Sequence, residues 1–348
     1  MKNMKTEKTK CVRFAQLGCN GVAHEHAAAH RQTGNTELVV VCDLDGDKAK
    51  AFAEKHGVPE WTTDATALFA RDDIDAVDLV TSDHTHAMLS IAAAKAGKHV
   101  LVEKPLATTV EDADAVIAAA AENDVILMCA QCMRWDPRCR AIAEKVKAGA
   151  IGRPVFVRIH GGCPPFWQPG NWPEAASGGK PDFLLFREGV HWMDWITALL
   201  GEFPESIHVV GHPGQEGVPL WEYFAVNMRF PGGALGLGES NRIVQPPGYP
   251  TPGTGLYVVG TEGTLSLENT TDLAVSLYTA DGLSFPGSHV YAASRDSKFV
   301  GEIRHFADCI ESGADPEVSP RHSRRVVQAI LAAQESFRRG EPVEVTYV

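Results

Sequence analysis

Residues 12–23 read VRFAQLGCNGVA, and residues 37–43 read ELVVVCD. The first stretch is a short apolar strand running into a turn made of Gly18, Cys19, Asn20, Gly21, Val22 and Ala23, with a helix behind it. A turn of this kind lets backbone amides and a helix N-terminus approach a pyrophosphate. Glycine-rich turns also arise for packing alone, and here the middle position is Asn20 rather than glycine, which narrows the room for phosphate. Asp43 tips the balance. Standing at the end of the second strand, it can accept hydrogen bonds from ribose hydroxyls, although it could also merely cap the loop to the next helix. Turn and acid together favour a dinucleotide site. A carboxylate at that point would repel a 2'-phosphate, and Leu44, Asp45 and Gly46 bring no arginine to offset it, so NAD is expected in preference to NADP.

Outward from this turn, the chain alternates apolar runs with helical stretches as far as Gly149, the pattern of a doubly wound parallel sheet. Strands are expected over 12–17, 37–42, 76–80, 99–102 and 125–129, and helices over 47–55, 87–96 and 110–122. Gly57 and Gly97 stand where helix C-caps belong. Beyond Gly149, strand-like segments (155–160, 206–210, 222–230, 255–259 and 264–267) follow without intervening helices, which predicts a mostly antiparallel sheet. Two helices, 190–200 and 320–339, would cover one face of it and leave the other to meet another subunit. The fold class expected is therefore an α/β Rossmann domain over residues 1–149 joined to an α+β domain over 150–348, whose C-terminal helices could pack back towards the first. Between Gly161 and Lys180 runs a long loop rich in Gly, Pro and Trp, a length that favours a functional role.

The 348 residues exceed what one core usually supports, and 44% hydrophobic content can fill two. With 44 acidic against 32 basic residues and a net charge of -12, the chain has no basic stripe for nucleic acid or anionic membrane, and neither is expected as a partner. No apolar run has signal-peptide or membrane-spanning length, so a cytoplasmic location is expected. Among eight cysteines only Cys129 and Cys132 form a CxxC. They fall at a strand end with no second pair to complete a tetrahedral set, so buried free thiols and no metal are expected.

At the end of the fourth of these strands stands Glu103-Lys104-Pro105, in the crevice where open parallel sheets place their ligands. Hydride transfer from an alcohol carbon needs a group that removes the hydroxyl proton, and a lysine there can serve. A surface lysine paired with Glu103 is the competing reading.

Taken together, GCNGVA, Asp43, VTSDHTHA (80–87), the EKP triplet, MRWDP (133–137), AGAIGRP (148–154), GVHWMDW (189–195), GTEGTL (260–265) and the stretch 302–343 resemble the Gfo/Idh/MocA oxidoreductases, the family of glucose-fructose oxidoreductase and inositol dehydrogenase. The resemblance implies an open-faced C-terminal sheet that often builds homodimers or homotetramers, and hydride transfer between nicotinamide and a hydroxyl carbon of a sugar, inositol or sugar acid. It implies that Lys104 contacts substrate and cofactor, that Pro105 follows a cis peptide bond, that Ser82 and His86 lie near the cofactor, and that His191 is the second catalytic group. Many members carry an aspartate four residues before that histidine, where this chain has Arg187. Glu188, three residues before His191, is the expected substitute that orients its ring. Asp194 could share that task or pair with Arg134 or Lys180. Arg187 suits a carboxylate-bearing substrate. Arg134 and Trp172 are expected to line the substrate crevice. Two other readings stay open: a redox-assisted glycosidase or lyase that returns its hydride, and a dinucleotide-binding regulator without catalysis.

Overall fold

A computed structural model describes residues 11–162, 182–212, 221–241, 253–267, 275–284 and 298–347. In the first unit, short strands dominated by Val, Leu, Ala and Phe are buried on both faces, as strands of a parallel sheet must be. They are β1 (Val12–Leu17), β2 (Thr36–Cys42), β4 (Ala76–Leu79), β5 (His99–Glu103) and β6 (Leu127–Ala130), whereas β3 (Glu60–Thr62), reading EWT at the sheet edge, is largely exposed. All pair in parallel in the order β3-β2-β1-β4-β5-β6. The order reverses between β1 and β4, so the carboxyl ends of those strands flank the crevice where such sheets bind ligands.

The connecting helices are α1 (Ala23–Thr33), α2 (Gly46–His56), α3 (Ala65–Phe69), α4 (His86–Lys95) and α5 (Val110–Glu122). Local chemistry sets their ends. Asp45 accepts from the Lys48 amide at the start of α2, and Gly57 closes that helix in the left-handed region at φ 65°. Strand β6 starts two residues later than the sequence suggests, and β3 and α3, three and five residues long, leave too short a periodic signal to be expected.

The second unit begins with α6 (Pro137–Lys147) and a nine-stranded sheet: β7 (Pro154–Gly162), β8 (Ser206–His212), β9 (Tyr223–Arg229), β10 (Leu235–Asn241), β11 (Gly253–Gly260), β12 (Gly263–Leu267), β13 (Val275–Thr279), β14 (Gly282–Ser284) and β15 (Val343–Glu344). Its order is β14-β13-β12-β11-β7-β10-β9-β8-β15, antiparallel except for the β7–β10 pair. In the chain, α7 (Phe183–Leu200) stands between β7 and β8, and α8 (Lys298–Ser312) and α9 (Pro320–Arg339) stand between β14 and β15.

Strict alternation divides the sheet. Val157, Ile159, Ile207, Val209, Phe224, Val226, Met228, Leu256 and Val258 are buried on the side that α7 packs against, while Val210, Leu235, Tyr257 and Tyr278 are exposed on the other. Strand β10 escapes a sequence reading because LGLGESN carries two glycines. Their reason is packing: a Cβ at Gly236 would lie 2.8 Å from Ile196, and one at Gly238 would lie 3.0 Å from the Trp192 ring.

The boundary between units differs from a division after Gly149. It falls between Cys132 and Met133, and the first unit takes back the segment up to Ser323 that contains α8. Helix α6 goes with the second unit because its buried residues, Cys139 and Ile142, join the core of Val157, Ile159 and Leu265. Helix α8 lies against the first sheet instead: Phe306 stands 6.1 Å from Phe14, and the Arg304 guanidinium donates to the Thr33 and Gln32 carbonyls at the end of α1.

Candidate active site

The turn after β1 is held by groups the chain itself supplies. Gly18 adopts φ 97°, and a Cβ there would stand 2.1 Å from the Val80 carbonyl oxygen, so both conformation and the close approach of β4 demand glycine. The Gly18 amide donates to the Cys42 carbonyl over 2.8 Å. Buried Gln16 donates from Nε2 to the Gly18 carbonyl (3.1 Å) and the Ala23 carbonyl (3.3 Å), pinning the turn from below. The Cys19 amide donates to Asp43 Oδ2 over 3.0 Å, and Asp43 Oδ1 accepts from the Asp45 amide over 3.0 Å. Burial, then the Asp43 carboxylate, pushes the Cys19 thiol up to about 12, so this side chain is a packed neutral group.

What the turn leaves open is at its crest. Val22 caps α1 without a side-chain hydrogen bond, and among the described residues the amides of Asn20, Gly21 and Val22 have no hydrogen-bond partner. Gly21 is exposed at φ 53°. Ala23 is fully buried and directs its amide to the Asn20 carbonyl. Three unengaged amides at a helix N-terminus suit a pyrophosphate, and each Asp43 oxygen keeps lone-pair capacity for a ribose hydroxyl. These residues fit a dinucleotide.

Two strands away from β1, β5 delivers Glu103, Lys104 and Pro105, with the Lys104–Pro105 peptide bond cis. Glu103 is buried; its Oε2 accepts the Lys104 amide over 3.0 Å, and Oε1 lies 3.2 Å from His26 Nε2. His86 is fully buried at the start of α4, with Nδ1 2.7 Å from the Pro105 carbonyl and Nε2 3.2 Å from the Thr81 carbonyl. The ring therefore ties the cis-proline loop to the end of β4. Ser82 is exposed beside it, its carbonyl accepting from the Thr85 amide and hydroxyl.

In the second unit, Arg187, Glu188, His191 and Asp194 all lie on α7. The helix begins at Phe183, seven residues before the sequence reading starts it, so the stretch leading into GVHWMDW forms its first turns. Arg187 is exposed, and Glu188 and His191 are half-buried. Gly189 sits against α9, where a Cβ would be 2.5 Å from Ile330 Cδ1. Fully buried Asp194 takes a two-pronged bond from Arg134, Nε to Oδ2 at 2.6 Å and Nη2 to Oδ1 at 2.8 Å. The Arg134 guanidinium also lies 5.9 Å from the Trp195 ring centroid. Trp172 lies outside the described residues.

Over residues 12–131 the chain matches the oxidoreductase family with an NAD-binding Rossmann fold, GFO_IDH_MocA, and over 139–266 it matches the GFO/IDH/MocA C-terminal domain. The chain belongs to this family. It is 28% identical to scyllo-inositol 2-dehydrogenase (NAD(+)) of Bacillus subtilis (strain 168), covering 96% of each chain. It is 31% identical to 1,5-anhydro-D-fructose reductase of Ensifer adhaerens over 73% of this chain and 74% of that protein. Its fold matches the crystal structure of an oxidoreductase from Agrobacterium radiobacter in complex with NAD+, L-tartaric acid and magnesium, with TM-score 0.85 at 22% identity, over 96% of this chain and 98% of that one.

Sequence reasoning about this GFO/IDH/MocA oxidoreductase passes over several residues that hold the two strand ends in place. Gln16 and Asp78 are single polar residues inside the apolar strands VRFAQL and AVDL, and both are fully buried. A polar side chain on a doubly covered strand needs internal partners, and that is the signal by which each could be found. His26 carries no such mark, because its partners come from distant segments, whereas the Arg134–Asp194 pair is one of the pairings the sequence leaves open.

Proposed function

We propose that this oxidoreductase transfers a hydride between NAD, preferred over NADP, and a hydroxyl-bearing carbon of a sugar, inositol or sugar acid. Bound NAD supplies the hydride acceptor. The amides of Asn20, Gly21 and Val22 hold the pyrophosphate, and Asp43 holds the ribose and repels a 2'-phosphate. Lys104 removes the substrate hydroxyl proton, while Glu103, Pro105 and His86 fix its loop. His191 is the second proton-handling group, Glu188 orients its ring, and Arg187 recognises a carboxylate on the substrate. Arg134, braced by Asp194, and Trp172 belong to the same proposed substrate crevice.

The observation carrying this reading is the Asp43 carboxylate, braced by the Cys19 amide at 3.0 Å beside three unengaged amides. The exposed sheet face with Val210, Leu235, Tyr257 and Tyr278 is the proposed surface for a homodimer or homotetramer. Among the described residues no helix is long and apolar enough to cross a membrane, and the described cysteines are free, which supports a cytoplasmic location.

A screen of NAD and NADP reduction across scyllo-inositol, other inositols, aldoses and uronates, with glycoside cleavage followed in parallel, tests the assignment. NADH formation with a free polyol is the expected result. Glycoside cleavage without net NADH would replace it with redox-neutral elimination, and tight NAD binding with no turnover on any of them would make the chain a regulator.

A further inference from the structure

Behind the Lys104 strand end, five ionisable side chains are buried together within the first unit: His26 and His30 on α1, Asp78 on β4, Glu103 on β5 and Glu302 on α8. His26 is central. Its Nδ1 lies 3.1 and 3.0 Å from the two Asp78 oxygens, and its Nε2 lies 3.2 Å from Glu103 Oε1. His30 Nε2 reaches Asp78 Oδ2 at 3.2 Å, with its Nδ1 3.1 Å from the Thr36 hydroxyl. The Phe299 ring centroid lies 5.0 Å from that of His26, and Lys298 Nζ lies 5.4 Å from the Phe299 ring centroid.

Ionised carboxylates only accept hydrogen bonds, so a ring with a carboxylate at each nitrogen donates from both and is an imidazolium. Burial alone would discharge it; the Asp78 and Glu103 carboxylates more than reverse that and hold His26 well above the ordinary histidine value. The same cation, opposing burial, keeps the Asp78 carboxyl well below the usual carboxylate range.

Helix α1, which carries this cation, is also the helix whose N-terminus presents the amides of Asn20, Gly21 and Val22. We propose that His26 is a positioning residue for proton transfer. By clamping Glu103 Oε1 it fixes the carboxylate whose Oε2 accepts the Lys104 amide, and it thereby sets where Lys104 stands relative to a cofactor held at the start of α1. The inference rests on the reading that Lys104 takes the substrate proton.

The test uses the full chain with His26→Gln and His26→Asn. Glutamine can place its amide where Nε2 stands and keep a donor to Glu103, whereas asparagine reaches only towards Asp78. Three quantities are measured: kcat against pH on a polyol identified by the screen, NADH affinity by calorimetry, and the pH dependence of Lys104 acylation by an amine-directed reagent, read by mass spectrometry without substrate. For His26→Asn, kcat is expected to fall roughly 10- to 100-fold, as a displaced reacting group costs. NADH affinity should stay within about threefold, because the cofactor contacts are untouched. The kcat pH profile and Lys104 labelling should both shift, and His26→Gln should recover part of each. If asparagine prevents folding, Glu103→Gln, which weakens the same clamp, should reproduce the kcat loss and the labelling shift. Folded variants with wild-type kcat, pH profile and Lys104 labelling would overturn the inference. Undiminished turnover in Lys104→Ala would instead overturn the reading of Lys104 on which it rests.

Discussion

The Cys19 amide and the Asp45 amide bond the two oxygens of one carboxylate, that of Asp43, each over 3.0 Å. Asp43 thus braces the glycine turn against the loop entering α2, and it does so with the group that would meet the ribose. The two readings of this acid available from the sequence, loop brace and ribose acceptor, are compatible because a carboxylate has room for about four hydrogen bonds.

Asp43→Ser should therefore have two separable effects. NADH affinity should fall by about tenfold, the equivalent of one good hydrogen bond at roughly 1.4 kcal/mol, while NADPH affinity falls less or rises. Calorimetry with both cofactors reads the ratio. Native protein that binds NADPH as tightly as NADH would refute the role given to the carboxylate.

Lys104→Ala should leave NADH binding measurable and lower turnover by roughly 100- to 10,000-fold, the span that proton-transfer groups contribute. The Lys104 backbone amide that donates to Glu103 survives the substitution, so the thermal midpoint should stay close to that of the native chain. Steady-state kinetics beside a melting curve separates loss of chemistry from loss of fold.

Asp194 is almost wholly buried, and Arg134 is largely so, at 1% and 11% side-chain exposure. Removing the guanidinium takes both of its bonds from a buried carboxylate inside the second unit, so Arg134→Ala should cost on the order of 3–5 kcal/mol of stability. Arg134→Lys keeps the charge but loses the planar fork and should recover only part of it. Denaturant unfolding measures both. An Arg134→Ala protein as stable as the native one would show that the pair is incidental to the fold.

Glu302 is fully buried, and among the described residues neither of its oxygens has a hydrogen-bond partner. Burial raises its carboxyl well above the ordinary glutamate range; the His26 cation opposes this, and the Glu103 and Asp78 carboxylates reinforce it. A folded-state value above the unfolded one means that the native chain keeps a proton the unfolded chain has released. The contribution of Glu302 to stability is therefore fully present below about pH 4.5 and declines as pH rises towards its folded-state value. Glu302→Met, similar in volume and unable to ionise, should remove that decline and raise the thermal midpoint at pH 7–8 by about 2–4 °C. An unchanged slope of stability with pH would show that other groups set it.

The alternation of VRFAQL, ELVVVC, AVDL and HVLVE with helical stretches was sufficient by itself to class the first unit as a parallel Rossmann sheet, because β1, β2, β4 and β5 are each local apolar runs, largely buried. The glycine turn, Asp43 and Lys104 were legible for the same reason: each is marked by its place at the end of a strand whose direction local pattern determines. Tertiary structure decided what distant segments do to one another. The glycines of β10 look like a weak strand until Trp192 and Ile196 of α7 lie upon them. Helix α8 belongs to the first unit because Phe306 and Arg304 find their partners on β1 and α1, nearly the whole chain away. His26 looks like any helical histidine until β4 and β5 bring a carboxylate to each of its nitrogens. Hydrophobic period is a property of neighbours along the chain, whereas the charge state of a buried ring is set by groups that only folding brings within 3 Å or so of it.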